Sequence, residues 1–310
     1  MPMSEALITA TNLRKTFGDF VAVDGVSFEV RQGESFGFLG PNGAGKTSTM
    51  RMISALSPIS GGTLSVLGLD PTTEGPRLRS RLGVVPQENN LDEELTVHDN
   101  LYTYGRFFDI PKTELNARID ELIDFVKLTD KLHAPVDALS GGMKRRVTIA
   151  RGLINDPDIY ILDEPTTGLD PQARHVLWDR LYRLKQRGIT LLITTHYMDE
   201  AEQLCDRLVV MDNGHIVAEG SPRALIDEYT PRDVVELRFP VGVLETLDGR
   251  IEQLSDRTEI LADRALVYTE DAERTIAAVH SEGMQPETVL ARRSTLEDVF
   301  LRLTGRTLVD

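Results

Sequence analysis

The feature that most constrains this chain is eight residues long. Gly40-Pro41-Asn42-Gly43-Ala44-Gly45-Lys46-Thr47 follows a short apolar stretch, Ser35–Leu39, and opens a helical pattern over Thr47–Leu56. A glycine-rich turn ending in Lys-Thr between a strand and a helix is the phosphate-loop pattern in its expected context. Glycines let the main chain wrap closely around phosphate oxygens. The N–H groups at the start of the following helix supply positive potential there. Read this way, Gly40, Pro41, Asn42, Gly43, Ala44, Gly45, Lys46, Thr47 and Ser48 hold a triphosphate. Lys46 reaches its outer phosphates and Thr47 ligates magnesium.

The rest of the chain gives this loop a setting. Apolar strands at Leu82–Val85, Ile159–Leu162 and Thr190–Thr195 alternate with helical patterns over Ser140–Leu153, Pro171–Arg187 and Met198–Cys205. Such alternation implies a mostly parallel sheet covered on both faces. Leu7–Val30 reads as short strands with turns at Gly18-Asp19 and Asp24-Gly25. Leu208–Asp212 and Ile216–Ala218 read as a hairpin turning at Asn213-Gly214. Between Thr96 and Leu132 apolar residues recur at three- and four-residue spacing, which predicts helix.

The composition changes after Glu228, where Tyr229-Thr230-Pro231 looks like a linker. Beyond it the pattern predicts strand Val234–Phe239, helix Val243–Ile251, strands Thr258–Leu261 and Ala265–Thr269, helix Ala272–His280, strand Glu287–Arg292 and helix Leu296–Leu303. The order β-α-β-β-α-β suggests a small α+β, ferredoxin-like domain over residues 229–310 behind a first domain over 1–228. A length of 310 residues fits two domains.

Charge and cysteine usage narrow the function classes. Asp+Glu total 49 against 34 Lys+Arg, a net charge of −15. That balance argues against a general nucleic-acid binder, although a phosphate loop works through main-chain N–H groups and one lysine. Cys205 is the single cysteine, so neither an internal disulfide nor a cysteine-rich zinc site is expected. Met1 to Ile8 lacks the pattern of a leader, and no run approaches the ~18–20 apolar residues that cross a bilayer. The expected compartment is the cytoplasm, with any membrane role exercised through a partner.

The remaining chemistry falls at strand ends. Ile159–Leu162 runs into Asp163 and Glu164. Beside a phosphate loop, Asp163 orients magnesium through its shell, and Glu164 is placed to take a proton from an attacking water. Gln87 follows one strand and His196 another. Leu139-Ser140-Gly141-Gly142-Met143-Lys144-Arg145-Arg146 lies just before the acid-ending strand, and Gly168-Leu169-Asp170 just after it. Each element alone is weak; their joint order is specific.

With these residues in this order, the chain over about residues 7–220 resembles the ATP-binding subunit of ABC transporters. The resemblance implies an α/β P-loop NTPase cassette with a mostly parallel sheet core, an antiparallel β subdomain and a helical subdomain over about 88–153. It implies ATP and magnesium as ligands. Phe17 would stack on adenine and Gln87 would couple the magnesium site to a membrane partner. Ser140, Gly141 and Gly142 would form the signature loop, Asp170 would belong to the D-loop, and His196 would be the switch histidine at the γ-phosphate. In that family the signature loop acts on the ATP of a second subunit, so a dimer, here expected as a homodimer, sandwiches two nucleotides. The implied location is the cytoplasmic face of the membrane, on a separate integral-membrane permease.

Two positions depart from the common pattern: Met143 stands for glutamine and Gly168 for alanine. Neither removes a catalytic group. The motifs Leu139 to Arg146 and Asp163 to Pro171, and the tail Leu296 to Gly305, are similar to the export branch containing daunorubicin-type drug-resistance and nodulation-factor (lipo-oligosaccharide) ATPases. The alternatives are a cassette doing mechanical work on a ribosome or DNA and a non-catalytic regulatory cassette. A single cassette without a heptad run disfavours the first; Glu164 and His196 disfavour the second. Cys205 reads as packing. Lys144-Arg145-Arg146 reads as a solvated helix face rather than a docking patch. Tyr102, Tyr104, Phe107, Phe108 and Trp178 read as core or partner contact. The C-terminal domain reads as dimer contact or regulation.

Overall fold

The protein's structure, a computed structural model, describes residues 6–240, 242–243, 247 and 249–305. The described residues divide into two compact units, those up to 221 and those from 222 on. The first unit is built on strands with apolar centres: β3 (Ser35–Leu39), β6 (Ile159–Asp163) and β7 (Thr190–Thr195) are buried at every position. Strands buried on both faces read as continuous apolar runs, as a parallel sheet covered on two sides demands. With β5 (Leu82–Val85), β8 (Arg207–Asp212) and β9 (His215–Gly220) they form a six-stranded sheet in the order β5-β6-β7-β3-β8-β9. All are parallel except β9, which returns antiparallel on β8 through Asn213-Gly214.

A second sheet is antiparallel, in the order β2-β1-β4. Its strands are β1 (Ala6–Phe17), β2 (Phe20–Arg31) and β4 (Gly61–Val66). The turn at Gly18-Asp19 is where the sequence reading puts it. Asp24-Gly25 is not a turn: β2 runs through it, and the register slips between Leu13 opposite Val26 and Lys15 opposite Val23. It is a bulge, with Gly25 at φ 67°, which lets a long strand curl without ending. β4 and the short α2 (Gly75–Arg79) carry no strong local signal.

The helical segment resolves into α3 (Val97–Arg106) and α4 (Lys112–Phe125), separated at Asp109-Ile110-Pro111, and is joined by α5 (Gly141–Gly152). Asp109 sits at φ 57° and Pro111 cannot continue a helix, so the break is local. Leu101, Leu115, Ile119, Ile123, Val147 and Ala150 close these helices on one another. Among the remaining helices are α1 (Lys46–Ile53), α6 (Pro171–Gln186) and α7 (Met198–Leu204).

The second unit begins with α8 (Pro222–Tyr229), before the composition shift after Glu228, because Leu225 of α8 is buried and Arg302 of α10 (Leu296–Thr304) donates to the Tyr229 carbonyl. Its sheet has the order β11-β12-β10-β13, antiparallel throughout. The strands are β10 (Asp233–Arg238), β11 (Arg257–Ile260), β12 (Arg264–Thr269) and β13 (Thr288–Arg293), with α9 (Ala272–Ser281) between the last two. This is the strand order of a ferredoxin-like sheet. Much of the expected helix Val243–Ile251 lies outside the described residues; its described part is not helical, and a 3₁₀ turn follows at Glu252–Leu254. The first five residues of the chain, where a leader would begin, also lie outside them. Among the described residues no helix is long and apolar enough to cross a membrane.

Candidate active site

The parallel register sets the site. Val85 lies opposite Leu162, Asp163 opposite Thr194 and Leu39 opposite Thr195. Four adjacent strands therefore end level, and the residues just beyond them gather on a single sheet edge. Gln87 comes after β5, Asp163 and Glu164 close β6, His196 comes after β7, and Gly40 to Thr47 come after β3. Ligands of open α/β sheets bind at this carboxyl edge.

The loop is shaped by close backbone approach. A Cβ on Gly40 would lie 2.2 Å from the Met211 carbonyl oxygen, and one on Gly45 would lie 2.5 Å from that of Ala22. Gly45 also sits at φ 102°, which side chains rarely adopt. Lys46 is 4% exposed, and its Nζ donates to the carbonyls of Gly40 at 2.8 Å and Pro41 at 3.0 Å. Burial pushes its ammonium group down from the ordinary value; Glu164 and Asp163 pull it up. Thr47 is exposed and its Oγ1 lies 3.4 Å from Asp163 Oδ1. Thr194 donates to the same Asp163 oxygen.

Glu164 is 6% exposed and sits at φ 47°. A non-glycine residue there costs on the order of 1–3 kcal/mol and persists only where its surroundings hold it. They do so from several sides. Its N–H donates to the Thr194 carbonyl and hydroxyl, its Oε2 accepts from Gln87 Nε2 and Thr167 Oγ1, both at 3.2 Å, and Lys46 Nζ lies 3.9 Å from Oε1. His196 Nδ1 stands 3.2 Å from Oε1, an ion-pair distance without hydrogen-bond alignment. Contact with His196 does most to hold the Glu164 carboxyl below its ordinary value; burial opposes this, and Lys46 and Thr167 add to it. The groups around it thus favour the carboxylate form.

The other expected residues lie nearby or at the rim. Ser140 caps α5, accepting from Met143 N, and Gly141 faces open space. A Cβ on Gly142 would lie 3.6 Å from Leu169 of the segment before α6. Asp170 caps α6, accepting from Ala173 N at 2.9 Å. Phe17 is half exposed at the tip of the β1–β2 hairpin, with Lys15 Nζ 4.8 Å above its ring. Met143 packs on the helical core.

One residue departs from its sequence reading. Arg145 is not on a solvated face: it is 3% exposed and reaches the backbone of both the Gln87 and Glu164 segments. Its partners are 18 to 59 residues away in the chain, so no local pattern marks them. Arg146 bonds the Val126 and Lys127 carbonyls.

Comparison with known proteins agrees with this geometry. Residues 23–167 match the family described as ABC transporter, and residues 244–305 match the C-terminal domain of the nodulation factor export protein NodI. The chain is 46% identical to the Nod factor export ATP-binding protein I of Ralstonia nicotianae, over 99% of this chain and 96% of that one. It is 47% identical to the protein of the same name from Burkholderia lata, over 99% and 100%. Among solved structures, an ATP-binding subunit of an ABC transporter matches with TM-score 0.66 at 30% identity, covering 72% of this chain and 93% of that one. A dimeric ATP-binding cassette in a post-hydrolysis state bound to ADP and Pi matches with TM-score 0.64 at 25% identity, covering 69% and 98%. The chain belongs to the ATP-binding subunits of ABC transporters, alongside the Nod factor export ATP-binding proteins, and it is an ATPase.

Proposed function

We propose that this subunit powers a separate membrane permease exporting an oligosaccharide-like cargo, and that Glu164 is the general base of its ATPase reaction. The names of its relatives support the cargo. The single observation behind the base assignment is the gathering of Gln87, Lys46, His196 and Thr167 around one carboxylate at the carboxyl edge of the sheet.

Lys46 and the N–H groups of the loop hold the triphosphate, and Thr47, Asp163 and Gln87 hold magnesium. These are oxygen donors, which suit that cation. Phosphate oxygens and water would complete the shell. Bound magnesium would neutralise charge on the outer phosphates. Glu164 takes the proton of the attacking water, and His196 steadies the same carboxylate and faces the γ-phosphate. Phe17 stacks on the adenine.

The exposed N-terminus of α5, with Ser140, Gly141 and Gly142, serves the triphosphate of a second copy, and Asp170 lies beside it. A groove of about 890 Å³ runs from Thr47, Gln87 and Asp163 to Tyr104, Phe107 and Leu56. Phe107 is 77% exposed at its far end. An exposed aromatic continuous with the magnesium-binding residues suits a permease segment, which would keep the subunit at the cytoplasmic membrane face. Glu164→Gln is expected to keep ATP binding and to lower turnover about 10²-fold or more, as loss of a general base does. Native turnover in that variant would refute the assignment.

A further inference from the structure

We propose that Arg145 is a positioning residue for ATP hydrolysis, fixing the backbone that carries Glu164 and Gln87. The proposal rests on Glu164 acting as the base.

A guanidinium group has five N–H donors in a fixed plane. All five of Arg145 are used, and every acceptor is a main-chain carbonyl. Nε donates to Pro165 at 2.8 Å. Nη1 donates to Pro86 at 2.5 Å and Gln87 at 3.2 Å. Nη2 donates to Asp163 and Glu164, both at 3.0 Å. One side chain thus binds three consecutive residues around the base and two at the residue that hydrogen-bonds its carboxylate. Glu164 sits in the left-handed region, where a side chain needs external restraint to stay. Arg145 supplies that restraint on the carbonyl side, and Thr194 on the N–H side.

The group sits on α5, three residues after Gly142. Helix α5 is therefore joined through one side chain to the catalytic strand ends β5 and β6. Lysine has three donors on a flexible stem and cannot reproduce a planar grip on five carbonyls. A residue that only tied α5 to the sheet would not need to converge on the two positions whose side chains meet at Glu164 Oε2.

The test is a double-mutant cycle of Arg145→Lys with Glu164→Gln, measuring steady-state kcat and KM for ATP. Arg145→Lys is expected to lower kcat about tenfold or more with KM within about twofold. In the Glu164→Gln background it should change residual turnover less than about twofold, because a residue acting through the base has nothing left to position. Equal fold losses in both backgrounds, or a raised KM with unchanged kcat, would overturn the proposal. Native turnover in Glu164→Gln alone would instead sink the base assignment. Arg145→Ala, assayed with and without free guanidinium at non-denaturing concentration, is the second variant. Recovery of kcat with added guanidinium supports positioning. A folded Arg145→Ala protein that ignores guanidinium contradicts it, as does failure of both variants to fold.

Discussion

Within the site, most of what can be read locally is contained in eight residues. The loop from Gly40 is legible because its pattern is contiguous: glycines, then lysine at the mouth of a helix, although the backbone that crowds Gly40 and Gly45 comes from Met211 and Ala22. The structure adds how Lys46 is held, with its ammonium group donating to the Gly40 and Pro41 carbonyls of its own loop. A charged donor to an anion contributes about 1.5–3 kcal/mol, so Lys46→Ala should weaken ATP binding about 10- to 100-fold. Titration with a fluorescent ATP analogue reads this directly; undiminished affinity would remove Lys46 from the site. Arg145 is the opposite case. Ser-Gly-Gly-Met-Lys-Arg-Arg looks like a capped helix with a basic face. Nothing in those residues shows that one arginine turns inward to carbonyls of two other segments.

At the scale of elements, strands buried on both faces are legible because parallel packing demands unbroken apolar runs. β4 is not, since Gly61-Gly62-Thr63 has little strand character and is held by pairing with β1, Val66 opposite Ile8 and Thr63 opposite Thr11. The bulge at Gly25 looks like a turn because glycine at positive φ serves both purposes. In the second unit α10 is locked by one acid. Asp298 is fully buried, completes a capping box with Thr295, and takes two hydrogen bonds from Arg292 and one from Tyr268. Burial pushes its carboxyl up, but Arg292 and Thr295 outweigh this and hold it below its ordinary value of 3.8. Stabilisation from a lowered carboxyl is complete above the unfolded-state value and is lost as pH falls through the folded one. The second unit should therefore loosen on acidification below about pH 4. Asp298→Asn should cost it stability toward the lower end of about 3–5 kcal/mol, since Arg292 is partly exposed. Hydrogen exchange of β10 and β12 in the full-length chain would show the loss; unchanged protection would contradict it.

At the scale of the whole molecule, the proposed dimer would make the site half of a working unit. Gln87, Asp163, Glu164, His196 and the phosphate loop gather on one edge, while the capped N-terminus of α5 presents Gly141 to open space. Parts complete in kind but facing outward argue for a second copy whose α5 supplies the missing anion contacts. That dependence is legible only through the resemblance, because no pattern within one chain announces a contact between two. The direct measurement is ATP turnover in an equimolar mixture of two variants, Ser140→Arg and Glu164→Gln. Each alone should be nearly inactive. In the mixture, half of the dimers pair an intact Glu164 from one chain with an intact Ser140 from the other, so turnover should return to about a quarter of native. A mixture no faster than the sum of its two components would show that Ser140 and Glu164 do not meet across a dimer.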